Sequence, residues 1–528
     1  MQYSNQTGLL RNALTGFPHS YIYRVSWGQI ASAILVVTAC ILIYWKPSSG
    51  VSAPFVGYRS LWEPPLLVQL RYTTSAASMI SEGYTKWKDS MYKISRYDGD
   101  LVVLSRKYLD DLQNRPPEQL SAINGLIKAS KIFRGINLLM ESDVGTRALQ
   151  AKITPNLSKL CDVMRDELEY SLSADLSPCK DWTPVPTQPF LLRALGRMTS
   201  RIFVGLPLCR DSTWIKTIFE HAHNVTMTQI VMRTVPTLMQ PLLNLFLPSS
   251  WKYKASVRAA KRILIPEVRR RKQLENYHGD DYEKPNDLLQ AMIDMTNPED
   301  KDGQPEDLAH RMLIMTAVAG HSTAAAGSHA LFDLIANPEY VDVLREEALQ
   351  VLYSNGMCLT KQALSQLVKM DSFIKESCTV GFHRVVTALA GIVLYDGTHI
   401  PHGTHLCVAP YSISSDPAIV TNADSFNGLR YYEQRLQGAG ESTRLQLATA
   451  DKTHLHFGYG TWSCPGRFLA SDELKLLLTV LLIRYDFRYP EGETRPANGV
   501  IHEFPYLNIG ATLLVKRRQD VLEILGSK

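Results

Sequence analysis

One cysteine set among glycines constrains this chain more than any other feature. The stretch from His456 to Ala470 reads HFGYGTWSCPGRFLA, with glycines on both sides of Cys464 and a proline directly after it. Because Pro465 suits the first turn of a helix, we expect Cys464 where the amides of a helix N-terminus point. A thiolate there is stabilised by N–H donors and the helix dipole, as an axial iron ligand requires. A purely structural loop cysteine is the alternative.

Length and composition describe a large globular chain. It has 528 residues, of which 45% are hydrophobic and 20% are charged, and these proportions exclude a disordered or fibrous protein. The formal net charge is +5, and the basic residues are spread along the chain, so we expect no nucleic-acid partner. The eight cysteines include no Cys-x-x-Cys pair, and we expect most of them to be reduced and buried.

An uncharged apolar stretch over residues 27–45 has about the length that a helix needs to cross a bilayer. Trp27, Tyr44 and Trp45 stand at its ends, where aromatic rings favour the membrane interface. The stretch therefore predicts a retained membrane anchor. A cleaved signal peptide and a buried core helix are the alternatives, and the long polar lead before the stretch disfavours the signal peptide.

The anchor divides the chain into four predicted parts. They are a short lumenal segment (1–26), the transmembrane anchor (27–45), a proline-rich hinge (46–65) and a catalytic domain (66–528). Prolines in the hinge end the helix and hold the next segment off the membrane. Asn5 begins an Asn-Gln-Thr sequon, which can be glycosylated if the N-terminus faces the lumen.

Helical periodicity predominates in the catalytic domain, and strand-like patterns are fewer, so the predicted fold class is mainly α with small β-sheets. In the longest predicted helix, Gly320 and Gly327 indicate that something approaches the backbone closely, and tight helix packing is the alternative. The predicted helices cover residues 121–136, 154–172, 189–203, 258–271, 306–335, 338–352, 361–378 and 468–483, and the predicted strands include 101–105, 391–394 and 405–409.

Three local patterns allow other interpretations. Residues 320–324 (GHSTA) resemble a nucleophile elbow, but the pattern before Ser322 is helical, whereas that motif needs a strand there. His454 and His456 suggest a metal pair, although one face of a short strand explains them equally well and no third ligand stands nearby. The basic run over 269–272 is interpreted as a solvated helix end, and docking to a membrane or an acidic partner is the lesser interpretation.

The segment FGYGTWSCPG resembles the haem-binding loop of the cytochrome P450 family, Phe-x-x-Gly-x-Arg-x-Cys-x-Gly. It matches the pattern at Phe457, Gly460, Cys464 and Gly466, whereas Trp462 stands at the Arg position.

Other segments resemble the same family in the same order. Residues 319–323 (AGHST) are similar to the oxygen-activating groove of the family's central helix. Residues 375–377 (KES) resemble the start of its Glu-x-x-Arg helix, and 426–430 (FNGLR) resemble the segment that carries the third member of its Glu-Arg-Arg cluster. Upstream, residues 201–209 and 282–289 look like the fungal membrane-bound branch that oxidises terpenoids and related secondary metabolites.

The resemblance implies a haem-thiolate monooxygenase that binds haem b. Cys464 would be the proximal iron ligand, and its thiolate would push electron density through the iron to favour O–O cleavage. Phe457 would pack near the sulfur and tune the iron. Gly460, Trp462 and Gly466 would complete the cofactor-binding loop.

On the distal side, the resemblance implies that the Thr323 hydroxyl relays protons, with a helix threonine bonded to its own turn as the alternative. Many relatives have an acid at the position of Ser322, so proton delivery here would run through hydroxyls, His321 and water. The same helix would line an apolar substrate pocket with Met315, Val318 and Ala319.

Two departures from the family pattern concern charge. Thr379 stands where the family has Arg, so Glu376 loses its expected partner. Arg430 can still reach Glu376 if the family geometry holds, and Arg384 is the nearest candidate to fill the gap. A buried carboxylate without its pair costs about 3 to 5 kcal/mol, so either another group compensates or the chain is a weakened variant. Trp462 replaces a cation that would bind a haem propionate, and it offers only an indole N–H. The remaining candidates for a propionate ligand are Lys152, Arg147 and Arg384.

The resemblance implies oxidation of an apolar terpenoid or meroterpenoid in fungal secondary metabolism, with O₂ and with electrons that an NADPH-dependent reductase delivers. It also implies a single-pass protein of the endoplasmic reticulum membrane, in contact with membrane lipid, whose catalytic domain is cytosolic. One alternative is a haem-thiolate isomerase, dehydratase or desaturase. The other is a haem-binding protein whose turnover is impaired because Thr379 replaces the usual Arg.

Overall fold

Helices make up most of the protein in the computed structural model, which describes residues 50–127, 138–176, 178–235, 239–378, 382–387, 389–438 and 443–519. All of these residues belong to one compact unit. The predicted anchor, Asn5 and Thr379 lie outside the described residues. Within those ranges, no helix has both the length and the apolar character that crossing a bilayer needs. The fold class predicted from the sequence, mainly α with small β-sheets, is confirmed.

The helices vary from single turns to a central helix of 32 residues. A π-helical turn, Leu149–Ile153, and a 3-10 turn, Thr154–Asn156, connect α5 to α6. In chain order the α-helices are α1 (Pro65–Trp87), α2 (Leu109–Leu112), α3 (Ala122–Ile127), α4 (Leu138–Glu141), α5 (Val144–Ala148), α6 (Leu157–Asp175), α7 (Thr187–Phe203), α8 (Ser212–Met232), α9 (Gln240–Phe246), α10 (Pro248–His278), α11 (Leu288–Asp294), α12 (Pro305–Ala336), α13 (Glu339–Ser354), α14 (Lys361–Gln366), α15 (Val368–Ser377), α16 (Pro410–Ser414), α17 (Arg430–Gln437) and α18 (Arg467–Arg484).

The strands form one mixed sheet of six strands, in the order β1-β2-β3-β9-β6-β4, and three smaller sheets. In the large sheet β2 is antiparallel to β3, and β3 is parallel to β9, with Leu101 opposite His405. The strands are β1 (Phe55–Val56), β2 (Met91–Ile94), β3 (Leu101–Leu104), β4 (Leu120–Ser121), β5 (Thr183–Pro186), β6 (Phe382–Val386), β7 (Ile392–Val393), β8 (His399–Ile400), β9 (His405–Val408), β10 (Tyr485–Arg488), β11 (Gly499–Ile501), β12 (Phe504–Tyr506) and β13 (Thr512–Arg517).

The central helix α12 runs through the main hydrophobic core. It begins at Pro305, which lacks an N–H at a position where the helix has no acceptor for one. The acidic residues in its first turn interact favourably with the helix dipole. At its crossing with α7, a Cβ built on Gly320 would lie 3.3 Å from the Cα of Gly196. A Cβ on Gly327 would lie 3.4 Å from the side chain of Leu474 on α18. Both glycines therefore serve tight helix packing, which was the alternative interpretation.

The single helix predicted over 361–378 is wrong, because the chain breaks at Leu367 into α14 and α15. The break is set by α13: the Glu347 carboxylate accepts hydrogen bonds from the backbone N–H groups of Lys369 at 2.6 Å and Met370 at 2.8 Å. These amides belong to the first turn of α15, where N–H groups have no partner within the helix. A side chain distant in sequence therefore caps the new helix.

The other predicted elements differ from the structure mainly at their ends. The helix predicted over 154–172 starts as a 3-10 turn and becomes α-helical at Leu157. Of the helix predicted over 121–136, the structure describes Ala122–Ile127 as helical, and residues 128–137 lie outside the description. The strands predicted near residues 101, 391 and 405 are present as β3, β7 and β9.

The basic run over 269–272 makes its contacts within the protein. Arg271 is fully buried and pairs with Asp287 at 2.7 Å. Its neighbours are bonded as well: Arg269 to Glu306, Arg270 to Glu267, and Lys272 to the Gly303 carbonyl. The prediction of a solvated helix end is wrong for Arg271, which is buried within α10, whereas Arg269 and Arg270 are exposed. The intramolecular contacts of the run give no support to the docking interpretation.

Candidate functional site

The loop around Cys464 is held by its own backbone. The Cys464 N–H donates to the Phe457 carbonyl at 2.8 Å, and the Gly458 N–H donates to the Leu455 carbonyl at 2.8 Å. A 3-10 turn over Gly460–Trp462 follows, closed by a hydrogen bond from the Ser463 N–H to the Gly460 carbonyl. These bonds fix the backbone on both sides of the sulfur, so the direction of the thiol is set before any ligand arrives.

Gly460 joins this loop to the end of α2. Its φ is +71°, and a Cβ at this position would overlap the Gln113 carbonyl oxygen and lie 2.5 Å from the Gln113 Cα. The next residue, Thr461, donates its N–H to the Gln113 carbonyl at 2.8 Å. Only glycine fits both the left-handed conformation and this close approach. Gly460, predicted as a cofactor-binding residue, therefore has a clear structural role in docking the loop.

The helix after Cys464 begins later than predicted. α18 starts at Arg467 with Gly466 at the capping position, so Pro465 does not form its first turn. A hydrogen bond from the Gly466 N–H and the Arg467 charge both lower the pKa of the Cys464 thiol. Burial is the larger effect and raises this pKa overall. A cation at the sulfur would reverse that balance, so the site is suited to a thiolate bound to a metal ion.

Trp462 supplies the second sign of a bound group. Its indole nitrogen Nε1 is buried and makes no hydrogen bond to any residue that the structure describes. A buried donor without an acceptor is costly, and the carboxylate of a haem propionate would satisfy it. The half-buried cysteine and this unpaired N–H, two residues apart, fit a haem whose iron binds Cys464.

The positions of the other candidate propionate ligands do not identify which of them would bind the haem. Lys152 is exposed in the π-helical turn beside the loop, and Arg147 pairs with Asp143 at 2.6 Å. Arg384 lies on β6, and its side chain is outside the description. The role of these three side chains stays a prediction.

The three distal candidates share the middle of α12 but differ in environment. Thr323 is buried, with 4% of its surface exposed, and its hydroxyl donates to the Ala319 carbonyl at 2.8 Å. Ser322 is exposed and makes a longer bond of 3.3 Å to the same carbonyl. His321 is half-buried, and burial lowers the pKa of its imidazole, which is therefore neutral at pH 7.

The predicted pocket residues lie on an uncovered stripe of α12. Val318 is 62% exposed, although the helix around it is mostly buried, and Met315 and Ala319 are half-buried. Exposed Ser322 continues the stripe, at the spacing that places residues on one helix face. Met315 also touches Gly145 on α5. The stripe is a largely apolar wall with one hydroxyl, which suits an apolar ligand.

Glu376 keeps the partner that its position suggested. The Arg430 guanidinium binds the Glu376 carboxylate through Nε and Nη2, with an Nη2–Oε1 distance of 3.0 Å. The Asn427 N–H adds a bond of 3.2 Å to Oε1. Arg430 also donates to the carbonyls of Ser425 and Asn422. The carboxylate is therefore paired and hydrogen-bonded within the described residues.

Sequence reasoning missed a buried acid on α18. Glu473 is 1% exposed, and the Thr199 hydroxyl of α7 donates to its Oε1 at 2.9 Å. Burial raises the pKa of Glu473 to about 8, so the carboxyl group is mainly protonated at pH 7. Glu473 directly precedes the apolar run LKLLLTVLLI, and this position in the sequence could have indicated that it is buried.

The competing chemical interpretations have less support. The hydrolase interpretation is wrong, because residues 320–324 lie inside α12 and the residues directly before Ser322 are helical where the motif needs a strand. His454 and His456 lie on no strand, and their rings are 4.6 Å apart. The His456 Nε2 donates to the Leu447 carbonyl at 2.7 Å. Among the described residues, no group of three or more metal-ligating side chains of His, Cys, Asp or Glu is present.

Comparisons with known proteins find a matching family model, similar proteins and a similar solved structure. A family model, Cytochrome P450, matches residues 172–501. Two similar proteins are the cytochrome P450 monooxygenase terK of Tolypocladium album, 60% identical over 94% of this chain and 95% of its own, and the monooxygenase ltmK of Epichloe festucae (strain Fl1), 55% identical over 99% and 100%. Among solved structures, retinoic acid-bound cyanobacterial CYP120A1 superposes with a TM-score of 0.65 at 16% identity, over 88% of this chain and 99% of its own.

Proposed function

Because this chain belongs to the cytochrome P450 family, as an oxidoreductase of the monooxygenase type, we propose that it binds haem b through Cys464 and oxidises an apolar terpenoid or meroterpenoid. The observation that carries the haem site is the pair formed by the half-buried, amide-supported Cys464 and the unpaired indole N–H of Trp462. A haem bound there supplies the activation of O₂, with electrons from NADPH through a reductase.

On the distal side, the residues of α12 would hold and move protons. The Thr323 hydroxyl gives its own proton to Ala319, so its oxygen can accept a hydrogen bond from a water molecule. The neutral imidazole of His321 can donate one hydrogen bond and accept another. Ser322 adds an exposed hydroxyl on the same helix. Proton delivery through hydroxyls, imidazole and water would replace the carboxylate that this stretch lacks.

The stripe on α12 supports an apolar substrate. Met315, Val318 and Ala319 offer aliphatic and thioether surface, and Val318 has the most exposed side chain of the three. Burying such surface against a hydrocarbon ligand contributes about 25 cal/mol per Å². A terpenoid skeleton, which is mostly hydrocarbon with few polar groups, matches this wall.

We propose that the protein works at the endoplasmic reticulum membrane, with its catalytic domain in the cytosol beside the reductase. The predicted anchor over 27–45 is one support, and Asn5 would then be lumenal. Exposed apolar side chains are another: Leu61 is fully exposed and Trp62 is 93% exposed, directly before α1. A further group lies on α9 and the start of α10, namely Leu242, Leu245, Phe246 and Trp251, followed by exposed Lys252, Lys254 and Arg258. Aromatic and basic residues together favour a membrane interface.

The first test is the reduced, carbon-monoxide-bound difference spectrum of the full chain in membranes, beside a Thr379→Arg variant. A thiolate-type Soret band in the parent supports the haem site and shows that Thr379 and Trp462 are tolerated. A band seen only in the variant would instead identify the chain as an impaired haem protein. Absence of the band from both proteins would overturn the proposal.

The second test measures NADPH and O₂ consumption with an added reductase and candidate terpenoids. A monooxygenase forms oxygenated product in proportion to the NADPH and O₂ that it consumes. A haem-thiolate isomerase or dehydratase gives product without net oxidation, and a desaturase consumes both cosubstrates but adds no oxygen to the product. Product analysis therefore separates these activities.

A further inference from the structure

Lys375 on α15 is a lysine without solvent exposure. Its side chain is 0% exposed, and Nζ contacts Asp451 Oδ2 at 3.1 Å and the Gln446 carbonyl at 3.3 Å. The ammonium group also lies 4.7 Å from the centre of the Tyr431 ring. Burying a charge costs several kcal/mol unless it is paired, so each of these contacts offsets a real penalty. Two of the three partners lie on residues 445–456, which we call the approach segment because they lead into the Cys464 loop.

The same face of α15 holds the approach segment at a second point. The Asp371 carboxylate accepts the Leu447 N–H at 2.8 Å and also binds Arg435 and Lys475. Arg435 in turn donates to the Leu445 carbonyl at 2.8 Å. Asp371 and Lys375 lie one helical turn apart, so α15 binds the segment near residue 446 and again at residue 451.

Hydrogen bonds continue from these points to the cysteine. Asp451 Oδ1 accepts the backbone N–H of Thr453 at 2.7 Å and of His454 at 2.9 Å. His456, the residue before Phe457, donates its Nε2 proton to the Leu447 carbonyl at 2.7 Å. Phe457 then accepts the Cys464 N–H at 2.8 Å. A shift of the approach segment would therefore move the backbone that orients the sulfur.

In the sequence just after α15, Thr379 stands where the family pattern has Arg. Glu376, the neighbour of Lys375, uses Arg430 and the Asn427 N–H. The cation of Lys375, by contrast, contacts the approach segment.

We propose that Lys375 is a positioning residue that holds the approach segment and thereby keeps the Cys464 sulfur on the haem iron. The inference rests on the proposed haem site. It assigns Lys375 a role in ligation, acting through the backbone, and no contact with haem or substrate.

The test compares the full-length parent, Lys375→Met and Arg271→Met in membranes. Arg271→Met is the matched control, because Arg271 is also a buried cation paired with a carboxylate, that of Asp287, and its described partners lie outside the approach segment and the Cys464 loop. Two quantities are measured: the share of the carbon monoxide complex with a thiolate-type Soret band, and the rate of haem transfer to excess apomyoglobin. For Lys375→Met we expect loss of most of the thiolate band and haem transfer about tenfold faster.

Arg271→Met is expected to lower the unfolding temperature while leaving the band of the folded protein unchanged. An unchanged band in Lys375→Met, or an equal loss in Arg271→Met, would overturn the inference while the parent band still supports the haem site. A parent without a thiolate band would overturn the proposed function itself, and the inference with it.

A double variant, Lys375→Met with Asp451→Asn, covers the case in which the single variant does not fold. It removes the half-buried carboxylate that the single variant leaves without its cation. The oxygen of the new side-chain amide can still accept the N–H groups of Thr453 and His454. We expect the double variant to recover thermal stability but not the thiolate band. Recovery of both would show that Lys375 only balances charge and would overturn the positioning role.

Discussion

The two sides of the proposed haem site are built in different ways. On the cysteine side, the loop is bonded to distant parts of the chain, such as Gln113 through Thr461 and α15 through the approach segment. On the distal side, the hydroxyls of Thr323 and Ser322 bond to the Ala319 carbonyl of their own helix. The loop owes its geometry to tertiary contacts as well as to its own backbone bonds, whereas α12 places its hydroxyls by helix periodicity.

This difference separates two kinds of residue. A substitution in the loop should disturb iron ligation and folding together, because one set of backbone bonds serves both. A substitution on the open stripe of α12 should change the chemistry with little effect on folding, because few contacts are lost. The variants below test this contrast, beginning with the largest expected effect.

Cys464→Ser should remove the thiolate-type Soret band completely, because a serine hydroxyl does not form the thiolate bond to iron. The measurement is the carbon monoxide difference spectrum in membranes, with haem content determined separately. Cys358→Ser is the control, since Cys358 is an exposed free thiol and its loss should leave the spectrum unchanged. A retained thiolate band in Cys464→Ser would assign the ligand to another residue.

Gly460→Val should lower the free energy of unfolding by about 3 kcal/mol, since it adds the cost of a left-handed backbone to a clash with Gln113. Gly356→Ala separates the two costs. Gly356 has a φ of +63° with no atom within 4 Å of a built Cβ, so it should lose only about 1 to 2 kcal/mol. Chemical denaturation of the full-length protein with haem bound measures both. Equal losses would show that the Gln113 contact does not hold the loop.

Glu473→Gln tests a contact between the two sides. Glu473 lies on α18, which follows the Cys464 loop, and it bonds to Thr199 on α7, which packs against α12. The folded protein raises the pKa of Glu473 from 4.5 to about 8, so the folded state holds one more proton than the unfolded state between these values. The parent should therefore lose stability as pH rises through this window, by up to about 1.4 kcal/mol per pH unit. The glutamine variant should show a flatter profile and exceed the parent at pH 8.

Thr199→Val sharpens the same measurement. The Thr199 hydroxyl donates to Glu473 and lowers its pKa, so removing the donor should raise the pKa and extend the loss of stability to higher pH. Thermal unfolding across pH 5 to about 9 in all three proteins measures the effect. Parallel profiles for the parent and Glu473→Gln would mean that Glu473 is ionised in the folded protein.

The positions that sequence reasoning could single out are those marked by a local sequence pattern. Cys464 and Gly460 belong to one loop whose spacing is informative, and the stripe of Met315, Val318 and Ala319 follows from helix periodicity. The break at Leu367 was not predictable, because Glu347 of another helix causes it. The buried partners of Lys375 depend on the tertiary fold in the same way.

Thr323→Ala and Ser322→Ala form the smallest and most specific comparison. Thr323 is buried and loses one methyl group and one bond to its own helix, a cost of about 1 kcal/mol, whereas exposed Ser322 should lose almost nothing. Both variants should keep the thiolate band, because neither residue contacts the loop in the described hydrogen bonds.

Their oxygen chemistry should differ, since only the Thr323 hydroxyl is held in a buried site by a bond of 2.8 Å. We expect Thr323→Ala to consume NADPH and O₂ with much less product, and Ser322→Ala to stay near the parent. Equal coupling in the two variants would move proton delivery from Thr323 to His321 and water, and a thiolate band lost with Thr323 would contradict the separation of the two sides.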